Sequence, residues 1–249
     1  MKIIVLVKET LNTEAKFVPE KDQKPKLEDG RFIINPFDEY AIEAALQLVE
    51  EKGGEVVLYS LGRQEAQVTL RTALAMGAHR AVLITSGARN SKTISRILGD
   101  KIKENDPDFD LIISGWISVD DNRAQVPGRL SKILNIPLAN VIMNIELKGD
   151  ELICEREGDT EQEIVKLSLP AFVAVQRGIN IPRYPTVRNI MDAKQKRFDI
   201  ISADEYEDDW EGVVYKMPPK RTAGKIIDGS DPKLAAKLLV EELLKEKLL

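Results

Sequence analysis

The 249-residue sequence carries a single cysteine and a single histidine. Cys154 alone excludes an internal disulfide and any cysteine-rich metal site. His79 alone excludes a multi-histidine metal centre, and a Ser-His-Asp arrangement would have to be built on it. Its place after Met76-Gly77-Ala78 suits a turn better than a catalyst. No metal centre built on cysteines or histidines is therefore expected. Aromatic residues make up only 5% of the chain, no basic patch interleaves with them, and the net charge is -5. This argues against nonspecific binding of nucleic acid. No apolar run reaches membrane-spanning length. The first, residues 2–7, is also too short for a signal peptide, so a cytoplasmic protein without direct membrane insertion is expected. Neither GxxxxGK followed by Ser or Thr nor GxGxxG occurs, which removes the two commonest phosphate-binding glycine loops.

What is present is a repeated alternation, with 43% hydrophobic residues available for a core. Residues 2–7, 56–59, 81–84, 111–113 and 138–142 are short apolar runs of the kind buried on both faces of a parallel sheet. Helical patterns fall between them. Asn35 is the expected N-cap of the first, with Pro36 at the first helical position, a stripe of Ile42, Ala45, Leu46 and Val49, and Gly53-Gly54 as the stop. Residues 63–76 follow, with Val68, Leu70, Ala73 and Leu74 inside, then 93–103, and a further helix opens near Gln125. Repeated β-α units predict a doubly wound, mostly parallel α/β sheet with helices on both faces.

Residues 17–34 are polar and read as a loop or hairpin. Residues 145–147, 151–156 and 163–167 alternate with period two and are expected as antiparallel strands extending one edge of the sheet. Residues 171–176 form another buried strand. From 182 to 216 the globular pattern fades into prolines and an acidic run at 204–209. Asp231-Pro232 then opens a C-terminal helix with a wide apolar face, Ala235, Leu239 and Leu243 beside Ala236, Val240 and Leu244. The chain is expected to divide into residues 1–185, an α/β nucleotide-binding domain, and residues 186–249. The terminal helix either folds back on its own domain or clasps a partner.

Residues 111–130 hold the chemistry. A buried strand ends at Ser114-Gly115, a polar loop follows, and a helix begins near Gln125. That layout sets free backbone N–H groups and the positive helix end at the carboxyl edge of the sheet, where α/β proteins hold nucleotides. A plain strand-to-helix connection has the same outline.

Five stretches, in order, resemble one family. They are Val7-Lys8; Ile34-Asn35-Pro36-Phe37-Asp38-Glu39; Thr72-Ala73-Leu74-Ala75-Met76-Gly77-Ala78; Asn180-Ile181-Pro182-Arg183-Tyr184-Pro185-Thr186 with Asn189-Ile190-Met191; and Pro218-Pro219-Lys220-Arg221-Thr222-Ala223-Gly224. Together they resemble the beta (small) subunit of electron transfer flavoproteins. The resemblance implies an adenine nucleotide alpha hydrolase-like fold, with residues 186–249 as a recognition loop, extended arm and C-terminal helix that wrap an alpha subunit. It implies FAD held mainly by the alpha subunit near the interface, and AMP in this one. In the electron-bifurcating branch a second FAD takes that place and oxidises NADH. The implied role is electron carrier rather than enzyme, from flavin dehydrogenases such as acyl-CoA dehydrogenases to a quinone oxidoreductase, in some cases membrane-bound.

By position, the implied cofactor-binding set is Leu6, Asn35, Pro36, Phe37, Asp38, Leu61, Gly115, Asp120, Arg123, Ala124, Gln125 and Val126. Leu6 and Leu61 would sandwich an adenine, and backbone groups around Asn35–Asp38 would bond its edge. The N–H groups of Ala124, Gln125 and Val126 would face a phosphate, favoured there by about 0.3–2 kcal/mol. Asp120 either accepts from ribose hydroxyls or braces the loop, and Arg123 either adds charge near the phosphate or is merely exposed. Three positions are implied to meet the FAD domain or a partner. Thr13 stands where the mitochondrial type has a tyrosine, Glu157 matches a carboxylate that holds the mobile FAD domain, and Val187 falls at the apolar anchor of a loop, 182–191, that docks dehydrogenases. Ala124-Gln125-Val126 is similar to the bifurcating branch and the region from Gln176 to Met191 to the AMP branch, so either nucleotide is compatible. A universal-stress-like ATP- or AMP-binding module is a third reading, one that leaves the arm unexplained.

Overall fold

The structure, a computed structural model, describes residues 1–19, 25–28, 31–210 and 223–249. The Asp29-Gly30 turn, the start of the arm and most of the motif from Pro218 to Gly224 lie outside the described residues. The chain forms two units, Met1–Val18 with Pro25–Val213, and Pro19–Lys24 with Val214–Leu249.

The first unit opens with β1 (Lys2–Leu6), β2 (Glu9–Leu11), β3 (Lys16–Pro19), β4 (Pro25–Glu28) and β5 (Phe32–Ile34), then α1 (Pro36–Lys52). The alternation continues with β6 (Glu55–Gly62), α2 (Gln67–Met76), β7 (Arg80–Thr85), α3 (Ser91–Asn105), β8 (Leu111–Gly115), α4 (Val126–Leu134) and β9 (Leu138–Ile142). After these come β10 (Asn144–Lys148), β11 (Glu151–Glu157), β12 (Gln162–Ser168), β13 (Ala171–Val175), α5 (Val187–Ala193) and β14 (Phe198–Ser202). The second unit contains α6 (Pro232–Lys245).

Seven strands form one sheet in the order β14-β7-β6-β1-β8-β13-β9, and every pairing in it is parallel. Successive side chains of a strand point to opposite faces, and the core divides accordingly. Ile3 and Val5 of β1 pack with residues of α1 and α2, whereas Ile4 and Leu6 pack with residues of α3 and α4. Being covered on both sides is what makes these strands continuous apolar runs. From β1 the chain moves to β6 and β7 on one side, then returns to place β8 on the other. The order reverses between β1 and β8, and there the connections diverge to leave a crevice at the carboxyl ends.

Three expectations change, and the strand order adds a point that the sequence left open. The three antiparallel strands exist, but they form a separate sheet β10-β11-β12 instead of extending the main one. A left-handed backbone at Val141 (φ 61°) and an irregularity where β13 meets β9 turn the chain out of the main sheet, while Leu152 and Cys154 still reach the core. In the strand order, β13 inserts between β8 and β9, so β9 is the edge. Second, residues 186–213 belong with the α/β body, since β14 pairs with β7 at one edge. The boundary expected after residue 185 falls after Val213. Third, Val68 is 70% exposed, because a 3-10 turn (Gln64–Ala66) precedes α2 and shifts its phase. His79 is the turn residue expected, its Nδ1 accepting the Val56 N–H at 3.0 Å. Among the described residues no helix is long and apolar enough to cross a membrane.

Candidate functional site

A cavity of about 130 Å³ opens at the switch point, roughly ten times the space one water requires. Its walls come from the ends of β1 (Leu6, Val7, Lys8), β6 (Tyr59, Leu61) and β8 (Ser114, Gly115), from the loop at 116–125, and from the starts of α3 and α4. Tyr59 is fully buried, and its hydroxyl is committed to Asp106 at 2.7 Å, so the cavity meets an immobile ring.

The floor is built around α1. Asn35 occupies the N-cap position, yet its side chain makes no capping bond. Instead its amide donates to Asp38 Oδ1 (2.9 Å) and to the Ile117 carbonyl (3.0 Å), and its oxygen accepts the Val119 N–H (3.2 Å). It therefore staples the loop after β8 to the start of α1, with Pro36 supplying the helical φ at the first position. Asp38 is almost fully buried and accepts N–H bonds from Lys8 (2.8 Å) and Gly115 (3.1 Å), tying β1 to β8. Burial pushes its carboxyl up to about 7, against the pull of these donors.

That displacement has a measurable sign. Between the ordinary value of 3.8 and about 7 the folded chain holds a proton on Asp38 that the unfolded chain has released. Stability from this group is therefore greatest at low pH in that window and falls as pH rises through it. Asp38→Asn removes the dependence, so the stability gap between variant and wild type should narrow from pH 5 to pH 7.5 in urea unfolding. A constant gap would show that Asp38 is not the titrating group.

The loop at 116–125 is held by charge. Lys8 Nζ reaches Asp120 (2.8 Å), Ser118 (3.1 Å) and Asp121 (3.5 Å). Against the cost of burial, the Lys8 ammonium and the Ser118 hydroxyl hold the Asp121 carboxyl below the usual range. Asn122 and Ala124 take left-handed conformations (φ 52° and 50°), unusual for residues with a Cβ. This strained run ends on the start of α4, where the N–H groups of Ala124, Gln125 and Val126 take no partner among the described residues. Donors unpaired at a helix start, on a cavity wall, suit an anion.

Of the twelve expected cofactor positions, nine line the cavity: Leu6, Asn35, Asp38, Leu61, Gly115, Arg123, Ala124, Gln125 and Val126. Pro36, Phe37 and Asp120 stand behind it. Phe37 meets the Trp116 ring edge-on at 6.0 Å, and Asp120 is the loop brace rather than a wall, its Oδ1 shared by Lys8 and the Asp121 N–H. Sequence reasoning missed Lys8, Tyr59, Arg89, Ser91 and Trp116. Arg89-Asn90-Ser91 has the same strand-loop-helix outline as 114–126, with Asn90 capping α3, and that outline was the available signal.

The three positions expected at a partner lie elsewhere. Thr13 is exposed in a turn at Asn12–Ala15, and Glu157 is exposed at the end of β11. Val187, 80% exposed, begins α5 behind a capping box made by Thr186 and Asn189. It is not alone, since Ile181, Tyr184, Ile190 and Met191 are also exposed. Arg183 anchors this stretch to α1 through the buried Glu43 (2.8 and 3.0 Å) and through Glu50 (3.1 Å).

Fold and cavity define an open α/β protein with a ligand-sized cavity outside the carboxyl ends of its strands. Residues 27–206 match the family model of the electron transfer flavoprotein domain. The chain is 39% identical to the electron transfer flavoprotein subunit beta of Bacillus subtilis (strain 168), over 99% of this chain and 98% of that one. Identity is 37% to the subunit beta of Syntrophomonas wolfei (97% and 95% covered) and 32% to that of Homo sapiens (96% of each). The chain belongs to the electron transfer flavoprotein family.

Proposed function

We propose that this chain pairs with an alpha subunit as an electron carrier, taking electrons from flavin dehydrogenases and passing them to a quinone oxidoreductase, with AMP held in the switch-point cavity. Family membership supports the flavoprotein and electron-transport role. The observation that carries the nucleotide is the set of three N–H groups at the start of α4, unpaired among the described residues, on the wall of a cavity that Leu6 and Leu61 also line. The two leucines would pack against an adenine, and the α4 amides would take the phosphate. The flavin, mainly on the alpha subunit, supplies the redox chemistry. This chain's residues bind, orient and exclude water. Asn35, Asp38 and Lys8 hold the loop in its binding shape before ligand arrives, which lowers the ordering cost.

A second FAD in place of AMP has one observation in its favour: the cavity also reaches Arg89 and Ser91 at the start of α3. A visible spectrum and a nucleotide extraction of the co-purified complex separate the readings. One FAD and one AMP per complex is the expected result, two FAD would mean the bifurcating type, and ATP without flavin would overturn both.

The exposed apolar stretch at 181–191 is the proposed docking site for dehydrogenases, with Val187 central and Arg183 holding it in place. Val187→Ala should lower the rate of electron transfer from a dehydrogenase by about tenfold, the scale of an interface residue worth more than 1 kcal/mol, with flavin content unchanged. Loss of flavin would instead assign Val187 to the fold.

A further inference from the structure

Helix α5 carries apolar side chains of the proposed docking stretch, and burial does not hold it in place. It has seven residues, too few to persist as a helix in water unaided, and only Ala193 among them is buried. What fixes its end is an exchange of cations with α2. Arg71, midway along α2, donates through Nη1 to the carbonyls of Ala193 (2.6 Å) and Lys196 (3.0 Å), at and just past the end of α5. Lys196 in turn donates through Nζ to the carbonyls of Leu74 (3.0 Å) and Ala78 (2.7 Å), at and just past the end of α2. Each helix is thus closed by a cation from beside the other, where unpaired C=O groups and the helix dipole favour positive charge. The Arg71 guanidinium also lies over the Phe198 ring at 4.6 Å, which joins α5 to the start of β14.

We propose that Arg71 and Lys196 are positioning residues for docking, their reciprocal bonds holding α5 in the shape that a dehydrogenase meets. The inference rests on reading residues 181–191 as the docking stretch and adds what keeps that stretch ready. Val187, Ile190 and Met191 are exposed, so water opposes rather than supports their arrangement. Polar anchors outside the apolar patch must hold it instead. Thr186 and Asn189 close the start of α5, Arg183 fixes the preceding chain on α1, and the two cations fix the end on α2. Ordering is then complete on folding and is not charged against each encounter with a partner. Without the cations, α5 would still carry Val187 but would present it in many orientations.

The test is steady-state electron transfer from an acyl-CoA dehydrogenase to the purified complex, beside amide hydrogen exchange over residues 187–196. Arg71→Gln and Lys196→Met keep an unbranched stem and remove the charge. Each should raise the KM for the complex about threefold to tenfold, the scale of ordering one or two side chains at an interface, with kcat changed less than twofold. Exchange should quicken across α5 in both. Arg71→Lys keeps a cation within reach of the carbonyls and should recover most of the wild-type KM. Thermal unfolding verifies that each variant is folded, and should one charge-removing variant fail to fold, the other decides. An unchanged KM, a loss confined to kcat, or exchange no faster than in the wild type overturns the proposal. Val187→Ala separates it from the docking reading. If that variant slows transfer and the charge-removing variants do not, only the positioning role falls; if it has no effect either, the docking stretch itself is misassigned.

Discussion

The chain carrying Leu239→Glu and Val240→Glu is expected to fold normally and yet fail to co-purify with the alpha subunit. Helix α6 is well made at its start, with Pro232 in the first turn and Asp231 accepting the N–H groups of Lys233 (3.0 Å) and Leu234 (3.3 Å). A helix of 14 residues is nonetheless marginal in water without tertiary packing. None of its residues is buried, and Leu234, Leu239, Val240 and Leu244 are each about half exposed. The two substitutions therefore touch none of the buried core among the described residues. Against a partner they would forfeit roughly 1.5–3 kcal/mol each, on the order of a 100-fold loss of affinity or more. Co-expression with tagged alpha subunit, followed by pull-down and thermal unfolding of the released chain, reads both halves. Retained co-purification would remove α6 from the interface, and a lowered unfolding midpoint would mean that it packs on its own domain.

Gly115→Ala should be the most damaging single change at the cavity. An added Cβ would lie 2.6 Å from Asp38 Oδ1, 2.6 Å from Phe37 Cβ and 2.9 Å from the Phe37 carbonyl carbon. None of these neighbours can retreat, since Asn35 and Pro36 fix the start of α1 and Asp38 is bonded to both β1 and β8. Overpacking of this kind costs about 1–3 kcal/mol, and here it also parts the walls of the cavity, so nucleotide content should fall with stability. Gly128→Ala, one turn into α4, is the matched control. Nothing lies within 4 Å of its added Cβ, and an alanine in a helix gains about 0.5–1 kcal/mol over glycine. Thermal midpoints and chromatographic quantification of released nucleotide distinguish the two. Equal effects would mean that β8 does not approach α1 as closely as described.

The parallel core was legible because its strands are buried on both faces: Lys2–Leu6 and Leu111–Gly115 are nearly unbroken apolar runs. Where burial is one-sided the signal weakened. Phe198–Ser202 is an edge strand with alternating exposure, set among prolines and acids, and its sequence does not distinguish it from an arm. Likewise, periodicity at residues 145–167 found three strands but not that they form a sheet of their own, because leaving the main sheet depends on the turn at Val141, a backbone event with no side-chain signature. At the site, residues whose backbone does the work sat within recognisable strand-to-helix turns, and nine of them do line the cavity. The side chains that shape it came from afar. Lys8 reaches across to the loop at 118–121 from more than a hundred residues away in sequence, which leaves no local pattern.

The central claim is that an adenine nucleotide lies at the β1/β8 switch point with its phosphate on the amides that open α4. A crystal structure of the purified complex with its native nucleotide tests this most directly. The expected density is an adenine between Leu6 and Leu61 and a single phosphate within about 3 Å of the N–H groups of Ala124, Gln125 and Val126. A cavity filled only by water, or a nucleotide seated elsewhere on the chain, would contradict the account.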